Sequence, residues 1–350
     1  MLKLAIVGTG GMAHSHARQF AALDGVKLMA CCDVDVGKAQ DFATEFHIPF
    51  VYADLTQLLH TCEVDAISNV TPDRYHAPLS MEALAAGKHV FCEKPLATDY
   101  ADARKMARIA SESGRINLVN FSYRNSAALQ QVAARVRKGD LGRVFHVQAH
   151  YLQSWLTSKE WGDWKTGPQW LWRLSKKHGS KGVLGDVGVH LLDFASFPVG
   201  DIVSVNCHLK TFKKAPRDRI REYPLDANDS AIITVEYEGG ATGALQTTRL
   251  ATGHVNSLSL SIHGEYGAFR LDLDKSYYDY EACFIQKKDG KTGPWKTVTA
   301  PAVPTLYQRF VGSIQRGKND QPDFARGAQI QRLLDACERS HEAGRTITLR

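Results

Sequence analysis

The sequence predicts an α/β protein in two parts: a doubly wound parallel sheet over residues 1–121, then an α/β domain over 122–350 built on a large, open, mostly antiparallel sheet. Three observations predict it. From residue 2 to 121, short apolar and β-branched runs alternate with helix-length amphipathic segments, the grammar of βαβ units. After Phe121 strand follows strand, with Glu238-Gly239-Gly240 and the stretch from Gly264 to Gly267 marking hairpin turns. At 350 residues the chain also exceeds one comfortable core, given roughly 150 residues per domain.

In the first part the strands fall at 2–7, 26–32, 66–70, 89–92 and 116–121, with helices at 12–23, 37–46, 78–86 and 99–113. Glycines at 25, 87 and 114 follow the last apolar position of their segments, as stop signals do. The second part opens with a helix at 127–138 and a strand at 143–152. A tryptophan-rich stretch and a helix at 184–197 come next. Strands are expected at 202–210, 230–237, 241–249, 257–263 and 268–272, and helices at 306–316 and 326–343. That last helix is left free to pack back on the first domain. An open sheet face invites a second copy, so a homodimer or homotetramer through this sheet is expected.

Hydrophobic residues at 44% and charged residues at 23% describe an ordinary globular chain. No segment has the roughly 20 apolar residues of a membrane span. The opening Met1-Leu2-Lys3-Leu4 runs straight into a strand and lacks a signal peptide's pattern, so a cytoplasmic location is expected. The net charge of +6 is spread along the chain, which argues against nucleic acid and permits an anionic ligand. Seven scattered cysteines show no C-x-x-C spacing and the histidines no H-E-x-x-H, so no metal site is expected.

Gly8-Thr9-Gly10-Gly11-Met12-Ala13 sits between the first strand and the first helix. Gly8 permits the tight turn, Gly10 lets backbone approach a diphosphate, and small Ala13 lets helix pack on strand. Asp33 ends the second strand, where a carboxylate bonds ribose hydroxyls and repels a 2′-phosphate, so NAD is expected over NADP. Lys94 lies just past a strand's carboxyl end, where open α/β sheets bind ligands, with Glu93 beside it and Pro95 fixing the turn. A lysine so placed can transfer protons, although most lysines are simply exposed. Asp186 and His190 stand four apart, which on a helix is one face. Five of six tryptophans lie between Trp155 and Trp172, beside Tyr151, Gln153 and Arg173; aromatic faces with a few directed donors suit a carbohydrate.

Thr71-Pro72-Asp73 with His76, followed by Ala86-Gly87-Lys88-His89-Val90 and Cys92-Glu93-Lys94-Pro95-Leu96-Ala97, resembles the motifs of the glucose–fructose oxidoreductase, inositol dehydrogenase and rhizopine-catabolism family. The resemblance covers essentially the whole chain, including Ala336 to Arg345. Tyr151-Leu152-Gln153 with Trp155-Leu156, Trp172-Arg173 and Gly185-Asp186 is similar to its levoglucosan and glycoside 3-dehydrogenase branch, though the segment 157–169 is longer here. The resemblance implies a Rossmann domain and an NAD-dependent oxidoreductase of CH–OH groups. It places cofactor contacts at Gly8, Gly10, Gly11, Met12, Ala13, Asp33, Thr71, Pro72, His76, Glu93 and Lys94. Catalysis falls to Lys94, His190 and Asp186, with Lys94 and His190 alternatives as proton acceptor. Tyr123, Gln153, Trp155, Arg173, Asp186 and His190 are the substrate candidates. A sugar, glycoside or polyol is the expected substrate, oxidised at a carbon such as C3. The alternative is a redox-neutral glycosidase that oxidises C3, eliminates across C2 and regenerates NAD, with Tyr151 or Tyr123 as an extra base.

Overall fold

The computed structural model describes residues 1–349, the side chains of 168 and 169 excepted. It divides into two compact units, residues 1–122 with 304–331, and residues 123–303 with 332–349.

In the first unit β1 (Leu2–Val7), β2 (Val26–Cys32), β3 (Phe50–Tyr52), β4 (Ala66–Asn69), β5 (His89–Cys92) and β6 (Asn117–Val119) form one parallel sheet in the order β3-β2-β1-β4-β5-β6. The order reverses between β1 and β4, the switch point where such sheets bind ligands at their carboxyl ends. Leu4 to Val7 are all buried, as befits a strand covered on both faces. Helix α1 (Gly11–Ala21) buries Ala13, His16, Ala17 and Phe20, an i, i+3, i+4, i+7 stripe. Helices α2 (Val36–Phe46), α3 (Leu55–Thr61) and α5 (Tyr100–Ser113) start on Asp35, Asp54 and Asp99, whose carboxylates accept from backbone N–H groups in the first turn; α4 (His76–Ala85) has no such cap. The sequence pattern missed β3 and α3, because a three-residue strand and a seven-residue helix are too short for periodicity to register.

The second unit contains α6 (Ala127–Arg137), β7 (Val144–Gln153), the single turn α7 (Pro168–Leu171) and α8 (Val189–Ser196). Next come β8 (Ile202–Lys210), the short ladder of β9 (Arg219–Ile220) with β10 (Tyr223–Pro224), then β11 (Ser230–Tyr237) and β12 (Thr242–Thr248). The strands finish with β13 (Asn256–Gly264), β14 (Gly267–Asp272), β15 (Asp279–Phe284), β16 (Lys296–Thr299) and β17 (Ile347–Thr348). Nine strands make one sheet in the order β16-β15-β14-β13-β7-β12-β11-β8-β17. Every neighbouring pair is antiparallel except β7 with β12.

Strands β11 and β12 alternate buried and exposed residues, so one face is core and the other open. Helices α6 and α8 pack on the buried face. The open face is mostly polar, with Thr234, Glu236, Thr242 and Gln246 exposed around Ile232. The tryptophan-rich stretch has a core of its own, in which Trp155, Leu156, Trp164, Leu171, Leu174 and Leu225 are buried together.

The helix expected at 184–197 is in fact two. Leu184–Gly188 winds as a π-turn, and only then does α8 begin. Glycine makes the wider turn possible: a Cβ on Gly185 would sit 2.3 Å from the Cβ of Lys181. The closing segment belongs to both units. Helix α9 (Leu306–Arg316) inserts Leu306, Tyr307, Phe310 and Val311 into the core of the first unit, and α10 (Phe324–Ala343) starts there, its Phe324 N–H donating to Asn117 Oδ1 at 2.8 Å. From Arg332 onward α10 belongs to the second unit, where Ser340 Oγ accepts from the Cys207 N–H. Among the described residues no helix is long and apolar enough to cross a membrane.

Candidate functional site

The carboxyl end of the parallel sheet carries the glycine loop. Gly8 has φ +88°, and a Cβ there would meet Val70 O at 2.8 Å and Thr71 N at 2.9 Å, so no other residue fits without displacing the backbone just past β4. A Cβ on Gly10 or Gly11, by contrast, meets nothing within 4 Å. The tight turn thus opens onto space beside the N-terminus of α1, where backbone N–H groups and the helix dipole favour an anion. Met12 is exposed and Ala13 fully buried. Asp33 stands across the opening with both oxygens engaged. Its Oδ2 accepts from Thr9 N at 2.8 Å and Thr9 Oγ1 at 3.0 Å, and its Oδ1 from Asp35 N at 3.0 Å. A fixed carboxylate one strand from an anion seat matches a dinucleotide's ribose and diphosphate, so the residues fit that cofactor.

On the other side of the switch point, Thr71 donates through its N–H and hydroxyl to Asn69 Oδ1. His76 is buried, its Nδ1 2.6 Å from Pro95 O and its Nε2 2.8 Å from Thr71 O. The ring therefore ties the loop carrying Thr71 and Pro72 to the turn carrying Lys94 and Pro95. Glu93 is buried as well. Burial alone would raise its carboxyl pKa; hydrogen bonding and charge from His16, the Lys94 charge and the Asn120 amide outweigh that and hold it at about 2.

In the second unit, strand parity gathers the polar groups. Val147, Ala149, Tyr151 and Gln153 of β7 all face the core side, and the register places Asn256 of β13 opposite Gln153. Asn256 Oδ1 accepts from Tyr151 OH at 2.8 Å and Gln153 Nε2 at 2.9 Å, while its Nδ2 donates to Tyr123 OH at 3.3 Å. Tyr123 and Tyr151 are hydrogen-bonded to each other. The Tyr123 ring meets His190 edge to face, 5.0 Å between centroids. Burial, then Tyr123 and Asp186, push the Tyr151 phenol well above its ordinary value, so it keeps its proton. Asp186, on the π-turn, accepts from the fully buried Arg249 at 2.9 Å, with Arg173 Nε 3.9 Å away. Arg249 also donates to the carbonyls of Arg173 and Gly182. Trp155 is buried behind this group, its Nε1 donating to Gln153 Oε1 at 3.2 Å and its ring 5.1 Å from the Arg249 guanidinium.

The structure thus joins Tyr123, Gln153, Trp155, Arg173, Asp186 and His190 in one contiguous network of the second unit. The sequence reading missed two of its members. Arg249 continues the buried parity of β12 (Gly243, Leu245, Thr247), and a charge at such a position is a detectable signal. Asn256 gives none, because only strand register brings it to Tyr151. His146 and His150 also stand four apart, but on β7, where four residues span about 13 Å.

Residues 2–121 match the family model described as oxidoreductase family, NAD-binding Rossmann fold, and residues 129–270 match the GFO/IDH/MocA C-terminal domain. The D-glucoside 3-dehydrogenase of Escherichia coli (strain K12) is 30% identical, over 99% of this chain and 97% of that enzyme. Levoglucosan dehydrogenase of Pseudarthrobacter phenanthrenivorans is 24% identical, over 96% of this chain and 95% of that one. Among solved structures, levoglucosan dehydrogenase in complex with NADH and L-sorbose has the same fold, with a TM-score of 0.88 at 24% identity over 100% of this chain and 99% of that one. With both of its domains matched and a relative 30% identical along nearly its full length, the chain belongs to the GFO/IDH/MocA family of oxidoreductases, and its first domain is an NAD-binding Rossmann fold.

Proposed function

We propose that the protein is an NAD-dependent dehydrogenase of sugars, glycosides or polyols, oxidising a carbinol carbon such as C3 of a glycoside. The observation that carries the reading is the network of Tyr123, Tyr151, Gln153 and Asn256 beside His190 and Asp186. Hydroxyl, amide, imidazole and carboxylate groups alternate there, the mixture of donors and acceptors that several neighbouring hydroxyls require. The named activities of the glucoside and levoglucosan relatives support the substrate class.

When bound, NAD supplies the hydride acceptor. Gly8, Gly10, Gly11, Met12 and Ala13 seat its diphosphate, and Asp33 takes the ribose. Thr71, Pro72, His76, Glu93 and Lys94 shape the end of the sheet beyond the switch point. Lys94 or His190 takes the carbinol proton. Asp186 is held in place by Arg249 and accepts a hydrogen bond from a neighbouring hydroxyl. Tyr123, Gln153 and Arg173 bind further hydroxyls, and Trp155 acts through Gln153. A second copy covers the open sheet face, giving a dimer or tetramer.

Redox-neutral glycoside cleavage needs a further base for C2–H, and since Tyr151 keeps its proton that step would fall to Tyr123; the named dehydrogenase activities of the two relatives favour net oxidation. The test is a panel of sugars, glycosides and inositols scored for both NADH absorbance and released aglycone. NADH without release is expected. Release without net NADH would move the assignment to the glycosidase, and silence on both would refute the substrate class.

A further inference from the structure

Lys94 is held by more than its neighbours in sequence. Strand β5 ends at Cys92, so the Lys94 N–H has left the ladder, and it donates instead to Glu93 Oε2 at 3.0 Å. The other oxygen of Glu93 receives His16 Nε2 at 2.8 Å and Asn120 Nδ2 at 2.6 Å. His16 is fully buried on α1, its Nδ1 2.8 Å from Ser68 Oγ and its ring wedged edge-on against Phe91 and Tyr307. Two donors from two elements, His16 of α1 and Asn120 just past β6, thus fix one oxygen of a buried carboxylate whose other oxygen holds the backbone N–H of Lys94. Ser68 itself is fully buried, so the Ser68–His16–Glu93 chain has no route to a substrate and is no hydrolytic triad.

A hydrophobic residue would satisfy the apolar stripe of α1 at position 16 equally well, which makes the histidine informative. His16 stands five residues after Gly11, about 7.5 Å along the helix that begins at the diphosphate loop. We infer that His16 is a positioning residue for Lys94: through Glu93 it registers the acid–base lysine against the helix that seats the dinucleotide. Asn120 completes the clamp from the end of β6. The inference rests on the role given above to Lys94.

The experiment is a double-mutant cycle in the full-length protein, read as kcat on the best substrate of the panel and as NADH affinity by fluorescence titration. Lys94→Ala is expected to lower kcat about 10²–10⁴-fold with little change in NADH affinity. His16→Leu should lower kcat roughly 10–100-fold with NADH affinity within about threefold, and His16→Gln, whose amide reaches the position of the lost Nε2–H, should recover most of that loss. In the Lys94→Ala background His16→Leu should cost almost nothing further, because its effect runs through the lysine. Multiplicative losses in the double mutant, or a His16→Leu enzyme with wild-type kcat, would overturn the inference while leaving Lys94 in place. A Lys94→Ala enzyme with normal turnover would overturn the reading of Lys94 and the inference with it. Should His16→Leu fail to fold by circular dichroism, His16→Asn serves in its place, since an asparagine can reach Ser68 but falls short of Glu93.

Discussion

Thr9 donates twice to one oxygen of Asp33, and Asp35 donates once to the other, so this carboxylate is aimed before any ligand arrives. On the proposed reading Asp33 faces the cofactor's ribose, where a fixed negative charge repels a 2′-phosphate. Asp33→Ser should therefore raise the ratio of NADP-linked to NAD-linked kcat/KM, and an unchanged ratio would remove Asp33 from the cofactor site. Glu93 makes a different residue-scale prediction. Its folded pKa of about 2 lies below the 4.5 of an unperturbed glutamate, so its stabilisation is complete above about pH 4.5 and is lost as pH falls toward 2. Glu93→Gln should unfold more easily at neutral pH, and its stability should fall less steeply than wild type in an acid titration followed by circular dichroism. Parallel acid curves would show that Glu93 is not ionised in the fold.

The element that departs most from expectation is the segment around Asp186. Periodicity predicts a single helix with Asp186 and His190 on one face, whereas the chain winds a π-turn before α8. Single π-turns within helices recur at functional sites, because the extra residue re-aims side chains that an α-helix would carry past their targets. Here the turn delivers Asp186 to Arg249. Gly185→Ala brings a Cβ to within 2.3 Å of the Lys181 Cβ and so forces the turn to shift. An overpacking cost of about 1–3 kcal/mol is expected, together with a larger fall in kcat/KM than in thermal stability. A variant with wild-type kinetics would show that the π-turn is dispensable.

At the scale of the whole molecule, the polar open face of the nine-stranded sheet carries an exposed Ile232 on β11, 59% accessible, among the exposed side chains of β11 and β12. Light scattering at micromolar protein should give a dimer or tetramer. Ile232→Lys should shift that population toward monomer without changing the far-ultraviolet circular dichroism. A wild-type monomer would refute the proposed assembly.

What the sequence determined by itself is what lies in contiguous residues. The glycine loop, the Asp33 that follows it at the end of the next strand, and Lys94 at a strand end are each short stretches whose backbone chemistry dictates local shape, so they are legible without a fold. The parallel half was legible for a related reason: strands covered on both faces must be continuous apolar runs, and helices that cover them must be striped. Even His16 left a mark, as a polar residue in a buried stripe. Tertiary structure decided the rest. Asn256 reaches Tyr151 only through the register of β13 on β7, and Arg249 reaches Asp186 only because β12 lies beneath the π-turn. Residues 304–331 join the first unit because Val119 N–H finds Pro322 O and Phe324 N–H finds Asn117 Oδ1. Such pairings join positions about 60 to 200 residues apart, and no local propensity encodes them. They are selected by the requirement that buried donors and acceptors find one another once the core has closed.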